Sequence, residues 1–151
     1  MLIKRQKNNQ LLNNFLYFHL PAILWMALIF CLSSISDLKS GVSEIWLELL
    51  LRKTAHLMVY AVLFFLFFRC FFFAQKLSKK KASLLSLLAV FCFAISDEVH
   101  QAFVPGRSSR VYDVLLDFIG ALIGCWLLFF FGFNNRKGKK FNFSKKSINE
   151  G

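Results

Sequence analysis

Hydrophobic positions in this chain come in long unbroken blocks. No Asp, Glu, Lys or Arg occurs from Asn8 to Ser36, from Thr54 to Phe68, from Ala82 to Ser96 or from Phe118 to Asn135. A bilayer core takes roughly 20 helical residues. Stretches such as FFLFFRCFFF and WLLFFFGF are apolar on every side of a helix, which suits lipid better than a half-wet surface. The pattern predicts four transmembrane helices, at about 14–34, 55–74, 83–104 and 112–133. The second contains Arg69, and the last two carry acids. The expected fold class is all-α: a polytopic membrane protein built as a four-transmembrane-helix bundle. A soluble bundle with thick core helices is the alternative, and the all-round apolar stretches argue against it. Lys4, Arg5 and Lys7 precede the first apolar run as they would in a signal peptide. That run is long and lacks a small-x-small cleavage site, so it reads as a first membrane helix.

Between the first two helices lies GVSEIWLELLLRKTAH. Glu44, Glu48 and Arg52 recur every four residues and form one polar stripe. Two readings stand side by side. One is a short interfacial helix, about 43–53, on the outer leaflet with Ser43 as N-cap. The other is an extension of helix two, since no Gly or Pro separates them.

Charge changes the picture by giving it a direction. The net charge is +11, yet 57% of the residues are hydrophobic. Fourteen of the 19 basic residues fall in the N-terminal tail, the loop between helices two and three, the C-terminal tail, or at Arg69. The other five are Lys39, Arg52, Lys53, Arg107 and Arg110. The positive-inside rule then puts both termini in the cytoplasm of a multi-pass plasma-membrane protein. It also accounts for the basic balance without nucleic acid. The expected domains are a basic tail at 1–13, a membrane domain at 14–133 and a basic, disordered tail at 134–151. The tails suit anionic lipid head groups.

Seven of the eight acids lie on the opposite side or in the outer half of the membrane, Glu150 being the exception. The stretch SDEVHQAFVPGRSSRVYD, residues 96–113, concentrates them. At ~1.5 Å of rise per residue, Asp97, Glu98, Asp117 and Tyr60 all lie about 8 Å below the outer boundary, with His56 at the rim. Helical spacing groups them further. Lys53, His56 and Tyr60 share one face of helix two, Asp97 and Gln101 one face of helix three, with His100 beside them, and Asp113 and Asp117 one face of helix four. Gly120 and Gly124 continue that last face as a small-x-x-x-small pattern, which lets another helix approach closely.

A carboxylate inside a membrane must pair, protonate or reach water. Arg107, Arg110, Lys53 and His56 are the available partners, and Pro105-Gly106 makes a turn that can fold the arginines back. The bland reading is a salt-bridge staple that locks the bundle. His56, His100, Asp97 and Glu98 include metal-ligand types, but DEVH lacks the paired-histidine spacing of a metalloprotease helix, and no metal is assigned. His19 reads as a hydrogen-bonded packing residue. Cys31, Cys70, Cys92 and Cys125 sit in apolar segments without a C-x-x-C neighbour and read as buried small hydrophobes. The aromatic faces of helices two and four read as lipid-facing.

AHLMVYAVLF followed by SDEVHQAFVPGRSSRVYDVLLDFIGALIG resembles the VanZ-like family of small bacterial integral membrane proteins. The matching features are His56 and Tyr60, Asp97-Glu98 with Gln101, Pro105-Gly106-Arg107, Asp113, Asp117 and Gly120, with Ser33-Ser34 ending helix one. The resemblance covers roughly residues 20–130. Many members have Asn where this chain has Asp117. The resemblance implies a cell-envelope protein; the family is named for a member that raises resistance to the glycopeptide teicoplanin, and resistance is not inferred for this chain.

Two classes of function follow. In the first, an outward polar pocket binds or acts on an anionic amphiphile, such as membrane lipid or a lipid-linked envelope precursor. Asp97, Glu98 and His56 would be its acid–base candidates, and Lys53, Tyr60, Gln101, Arg107, Arg110, Asp113 and Asp117 would line it. In the second, the chain is a non-enzymatic accessory or scaffold protein and the cluster is a staple. No cofactor is named, and oligomeric state is left open.

Overall fold

The computed structural model describes residues 11–35, 45–105 and 111–134. Helix α1 covers Leu11–Ser33. Helix α2 covers Ile45–Arg69 and ends in a π turn, Cys70–Ala74. Helix α3 covers Lys79–Ala102, and α4 covers Val111–Asn134. The described residues contain no strand, and four helices are long and apolar enough to cross a membrane. The chain is a multi-pass membrane protein. Residues 45–53 belong to the continuous α2, so the extension is found rather than a separate interfacial helix. Of the tails expected at 1–13 and 134–151, residues 1–10 and 135–151 lie outside the described residues, while residues 11–13 open α1 and Asn134 ends α4.

The first helix carries a π turn at Phe15–His19, directly before Pro21. Proline has no N–H, so the Tyr17 carbonyl four residues back loses its helical donor. Arg69 supplies a replacement: its Nη2 lies 3.4 Å from Tyr17 O, and its guanidinium sits 5.7 Å from the Phe18 ring centre. Cys70 Sγ donates to Phe18 O at 2.9 Å. A lone arginine in an apolar run thus closes a gap that a proline opened. Arg69→Met is therefore expected to cost about 0.5–1.5 kcal/mol, the range of interhelical hydrogen bonds in membranes. The cost should shrink in a Pro21→Ala background, where the backbone donor returns. A double-mutant cycle on unfolding in mixed micelles checks this.

Lys76, at φ 55°, turns the chain between α2 and α3 through the left-handed region, and the Leu77 N–H reaches back to Phe71 O at 3.1 Å. The core of the bundle contains Ile29, Tyr60, Leu63, Phe64, Phe68, Val90, Ala94 and Ala121. Much of the aromatic face of α2 is therefore core, where the sequence suggested lipid. Two cysteines also differ from expectation: Cys31 and Cys92 are exposed on the bundle surface, while Cys70 is buried and Cys125 half-buried.

The pair α2–α4 packs most extensively. Gly120 is the reason. A Cβ on Gly120 would lie 2.5 Å from Leu57 O and 3.0 Å from Leu57 Cα, and one on Gly124 2.9 Å from Ala61 O. Backbone meets backbone at these two turns, so the small-x-x-x-small pattern of α4 docks on α2. This contact fixes the register of the polar groups just beyond it.

Candidate functional site

Asp117 precedes Gly120 by nearly one turn, and His56 precedes Leu57 by one residue. Seating Gly120 on Leu57 therefore brings Asp117 to His56, whose Nδ1 lies 3.0 Å from Asp117 Oδ1. On the other side of the bundle centre, Asp97 of α3 gathers donors from three helices. Ser33 Oγ of α1 donates to Oδ1 at 2.6 Å. Tyr60 OH of α2 and Gln101 Nε2 of α3 donate to Oδ2 at 3.2 and 3.0 Å. Tyr60 also interacts with Asp117, so one phenol joins the two carboxylates. All four helices are tied together at this level.

Burial separates the members of the cluster. Tyr60, Asp97 and Asp117 are each about 1% exposed, whereas the His56 side chain is 27% exposed. Asp97 accepts hydrogen bonds at both oxygens, which compensates for taking a carboxylate out of water. His56 differs. Its Nδ1 faces Asp117, and its Nε2 has no hydrogen-bond partner among the described residues. A carboxylate on one ring nitrogen fixes the ring's orientation and leaves the other to receive or deliver a proton. Asp113 and Asp97 lie within electrostatic reach of the same ring.

A second contact closes the end of the bundle. Ser34 Oγ lies 2.9 Å from His100 Nε2 and 2.7 Å from Phe30 O. The shorter contact takes the hydroxyl proton to the carbonyl, so His100 donates to Ser34 and clips α1 to α3. The serine therefore acts as a helix-end clasp and not as a nucleophile activated by histidine.

Of the residues singled out in the sequence, His56, Tyr60, Asp97, Gln101 and Asp117 converge in one network. Glu98 is buried beside Asp97, and Asp113 is half-buried. Lys53 does not join them: it is exposed and makes no hydrogen bond or ion pair among the described residues. Arg107 and Arg110 lie in 106–110, outside the described residues. Among the described residues no three His, Cys, Asp or Glu side chains form a group able to hold a metal ion. His19 Nδ1 lies 3.3 Å from Asn14 O, away from the network.

Two contributors carry no chemical motif. Ser33 reaches Asp97 across 64 residues of sequence, and Trp25 Nε1 donates to Val59 O at 3.1 Å, pinning α1 to α2 one residue from Tyr60. Only the family resemblance at Ser33-Ser34 pointed to the first, and nothing pointed to the second.

No curated protein matches the chain, and no solved structure does. A family model described as VanZ/LLP1 matches residues 6–132, a stretch that contains all of α1, α2 and α3, most of α4 and every member of the polar network. The chain belongs to the VanZ/LLP1 family.

Proposed function

We propose that this VanZ/LLP1 protein sits in the bacterial cell membrane with both termini in the cytoplasm. Its polar end opens to the outer leaflet and binds or acts on an anionic amphiphile such as a lipid-linked envelope precursor. The observation that carries this reading is the contrast between His56 and its neighbours. The ring is about a quarter exposed, held by a buried carboxylate, and keeps one nitrogen unpaired among the described residues. Such a group is suited to proton transfer at a ligand. Arg107 and Arg110, in the sequence between α3 and α4, supply the positive charge that an anionic head group needs. A glycopeptide-resistance phenotype, which the family brings in by association, would act through the same site.

The test is a melting curve of purified protein with and without dodecyl phosphate. The parent protein gains stability with the ligand. His56→Gln and Arg107→Ala fold and lose that gain. A His56→Gln protein with the parent's shift overturns the reading.

One observation favours a second reading. Asp97 is so fully engaged by Ser33, Tyr60 and Gln101 that it serves as a hub rather than as a free acid. If every ligand-induced shift is absent while hub variants melt early, the cluster is a staple and the chain an accessory membrane protein. Topology has its own check. A reporter active only outside the cytoplasm should work when fused after Ser108 and fail when fused after Lys80. The reverse result would place the polar end inside.

A further inference from the structure

The Tyr60 hydroxyl serves two buried carboxyl groups. It donates to Asp97 Oδ2, 3.2 Å away, and it interacts with Asp117 as well. A phenol has one hydrogen and can donate to only one of them. Asp97 takes that hydrogen, along with those of Ser33 and Gln101. Asp117 has fewer partners among the described residues: His56 Nδ1, at 3.0 Å, and Tyr60. Both aspartates are about 1% exposed. Two carboxyl groups joined through one phenol and removed from water do not both hold a charge, so one keeps its proton. The donors decide which. Three of them compensate a charge on Asp97, so the proton belongs to Asp117.

The network then runs in one direction. His56 Nδ1–H donates to Asp117 Oδ1, the Asp117 O–H donates to the Tyr60 oxygen, and the Tyr60 O–H donates to Asp97. His56 Nε2 is left bare, on a side chain that is 27% exposed. The charged groups around the ring are Asp117 and Asp113 of α4 and Asp97 of α3. Glu98 of α3 is buried next to Asp97 in sequence, and Lys53 of the ring's own helix is exposed.

We propose that Tyr60 is a positioning residue that holds a proton on Asp117 and so presents His56 to the ligand as a hydrogen-bond acceptor. The ligand head must then offer an O–H to Nε2. The monoanion of a phosphate monoester does so, and a phosphate diester of the same charge does not. If the proton crosses, the O–H bond of the head breaks, an N–H bond forms at Nε2, and the electron pair stays on the head oxygen. For its ligand the inference rests on the amphiphile-binding reading, and it adds which atom of the head His56 meets. The protonation pattern itself needs no ligand.

The experiment uses the full chain, ¹⁵N-labelled at histidine, in micelles near neutral pH. Without ligand, His56 should show one protonated and one bare nitrogen, and the infrared spectrum should contain a protonated carboxyl band. Asp117→Asn should remove that component of the band yet keep the His56 pattern, because its carbonyl still accepts from Nδ1–H and its amide still donates to Tyr60. Tyr60→Phe should remove the band too, and turn His56 into imidazolium, because Asp117 then passes its proton to the ring. Trp25→Phe gives up the bond to Val59 O but should keep both signatures. With ligand, the parent should bind dodecyl phosphate about ten-fold more tightly than methyl dodecyl phosphate, the worth of one buried hydrogen bond, and Tyr60→Phe should lose this preference. A parent whose His56 is imidazolium, or a Tyr60→Phe protein with the parent's histidine and infrared signatures, overturns the role of Tyr60 and leaves the amphiphile reading standing. Equal binding of the two esters overturns the O–H requirement. Binding of neither ester sinks the amphiphile reading, while the ligand-free spectra still decide the proton assignment.

Discussion

Gly120→Val should lower the melting temperature by about 6–12 °C, the largest effect expected from any one added side chain. The first carbon of that side chain would lie 2.5 Å from the Leu57 carbonyl oxygen and 3.0 Å from Leu57 Cα. Both are backbone atoms of a packed helix and cannot swing aside. Overpacking of this kind costs about 3 kcal/mol, and each kcal/mol is worth about 2–4 °C in a chain of this size. Gly124→Val should cost less, because its nearest backbone atom lies 2.9 Å away and its third contact is the Phe64 ring edge. Ile123→Val, on the exposed side of the same helix, should melt with the parent. Parting α2 from α4 also parts His56 from Asp117, so ligand-induced stabilisation should vanish with the tight contact. Equal melting of Gly120→Val and Ile123→Val would mean that the two helices do not meet closely.

Asp97→Ala is the second large effect, and its comparison with Asp97→Asn is the informative part. Alanine removes the acceptor that Ser33, Tyr60 and Gln101 share in the bundle interior, where Ser33 can still turn to Phe30 O. Each unsatisfied donor costs about 1–3 kcal/mol, and partial relaxation leaves about 3–5 kcal/mol in all. Asparagine behaves differently. With its oxygen at the Oδ2 position it still accepts from Tyr60 and Gln101. Its amide then faces Ser33, whose hydroxyl can turn to Phe30 O, 3.1 Å away, and accept from the amide instead. Asp97→Asn should therefore stay within about 1 kcal/mol of the parent and keep ligand binding, if Asp97 is a hub. Loss of ligand response in a stable Asp97→Asn protein would assign it an acid–base role instead. Chemical denaturation of both variants, followed by the dodecyl phosphate shift, separates the two.

The helices were legible because each charge-free run is long enough to cross lipid, and the structure places all four within a few residues of the expected ends. Spacing also grouped His56 with Tyr60, Asp97 with Gln101 and Asp113 with Asp117, since a helix turns each pair to one side. Which helix meets which was not legible. Gly120-x-x-x-Gly124 announces a close approach but does not name α2 as its partner, because that depends on contacts more than 50 residues apart. The faces of α2 were misread for a related reason. Where Phe64, Phe65, Phe67 and Phe68 follow one another, apolar residues point in every direction and the pattern carries no sign of which side is lipid. The same blind pattern predicts buried thiols at Cys31 and Cys92, and both are exposed. Lys53 shares a helical face with His56 and still stays outside the network, three residues nearer the end of the membrane segment.

The most direct test observes His56 itself. The chain has three histidines, so ¹⁵N-histidine labelling gives three sets of ring signals in a micelle. His19 is tied to Asn14 O near the start of α1, and His100 is clipped to Ser34. Titration with dodecyl phosphate should shift the Nε2 signal of His56 saturably, leave both signals of His19 in place, and lose the His56 response in Arg107→Ala. A titration in which no ring responds, or in which all three move together without saturation, would contradict the assignment of this end of the bundle as a ligand site.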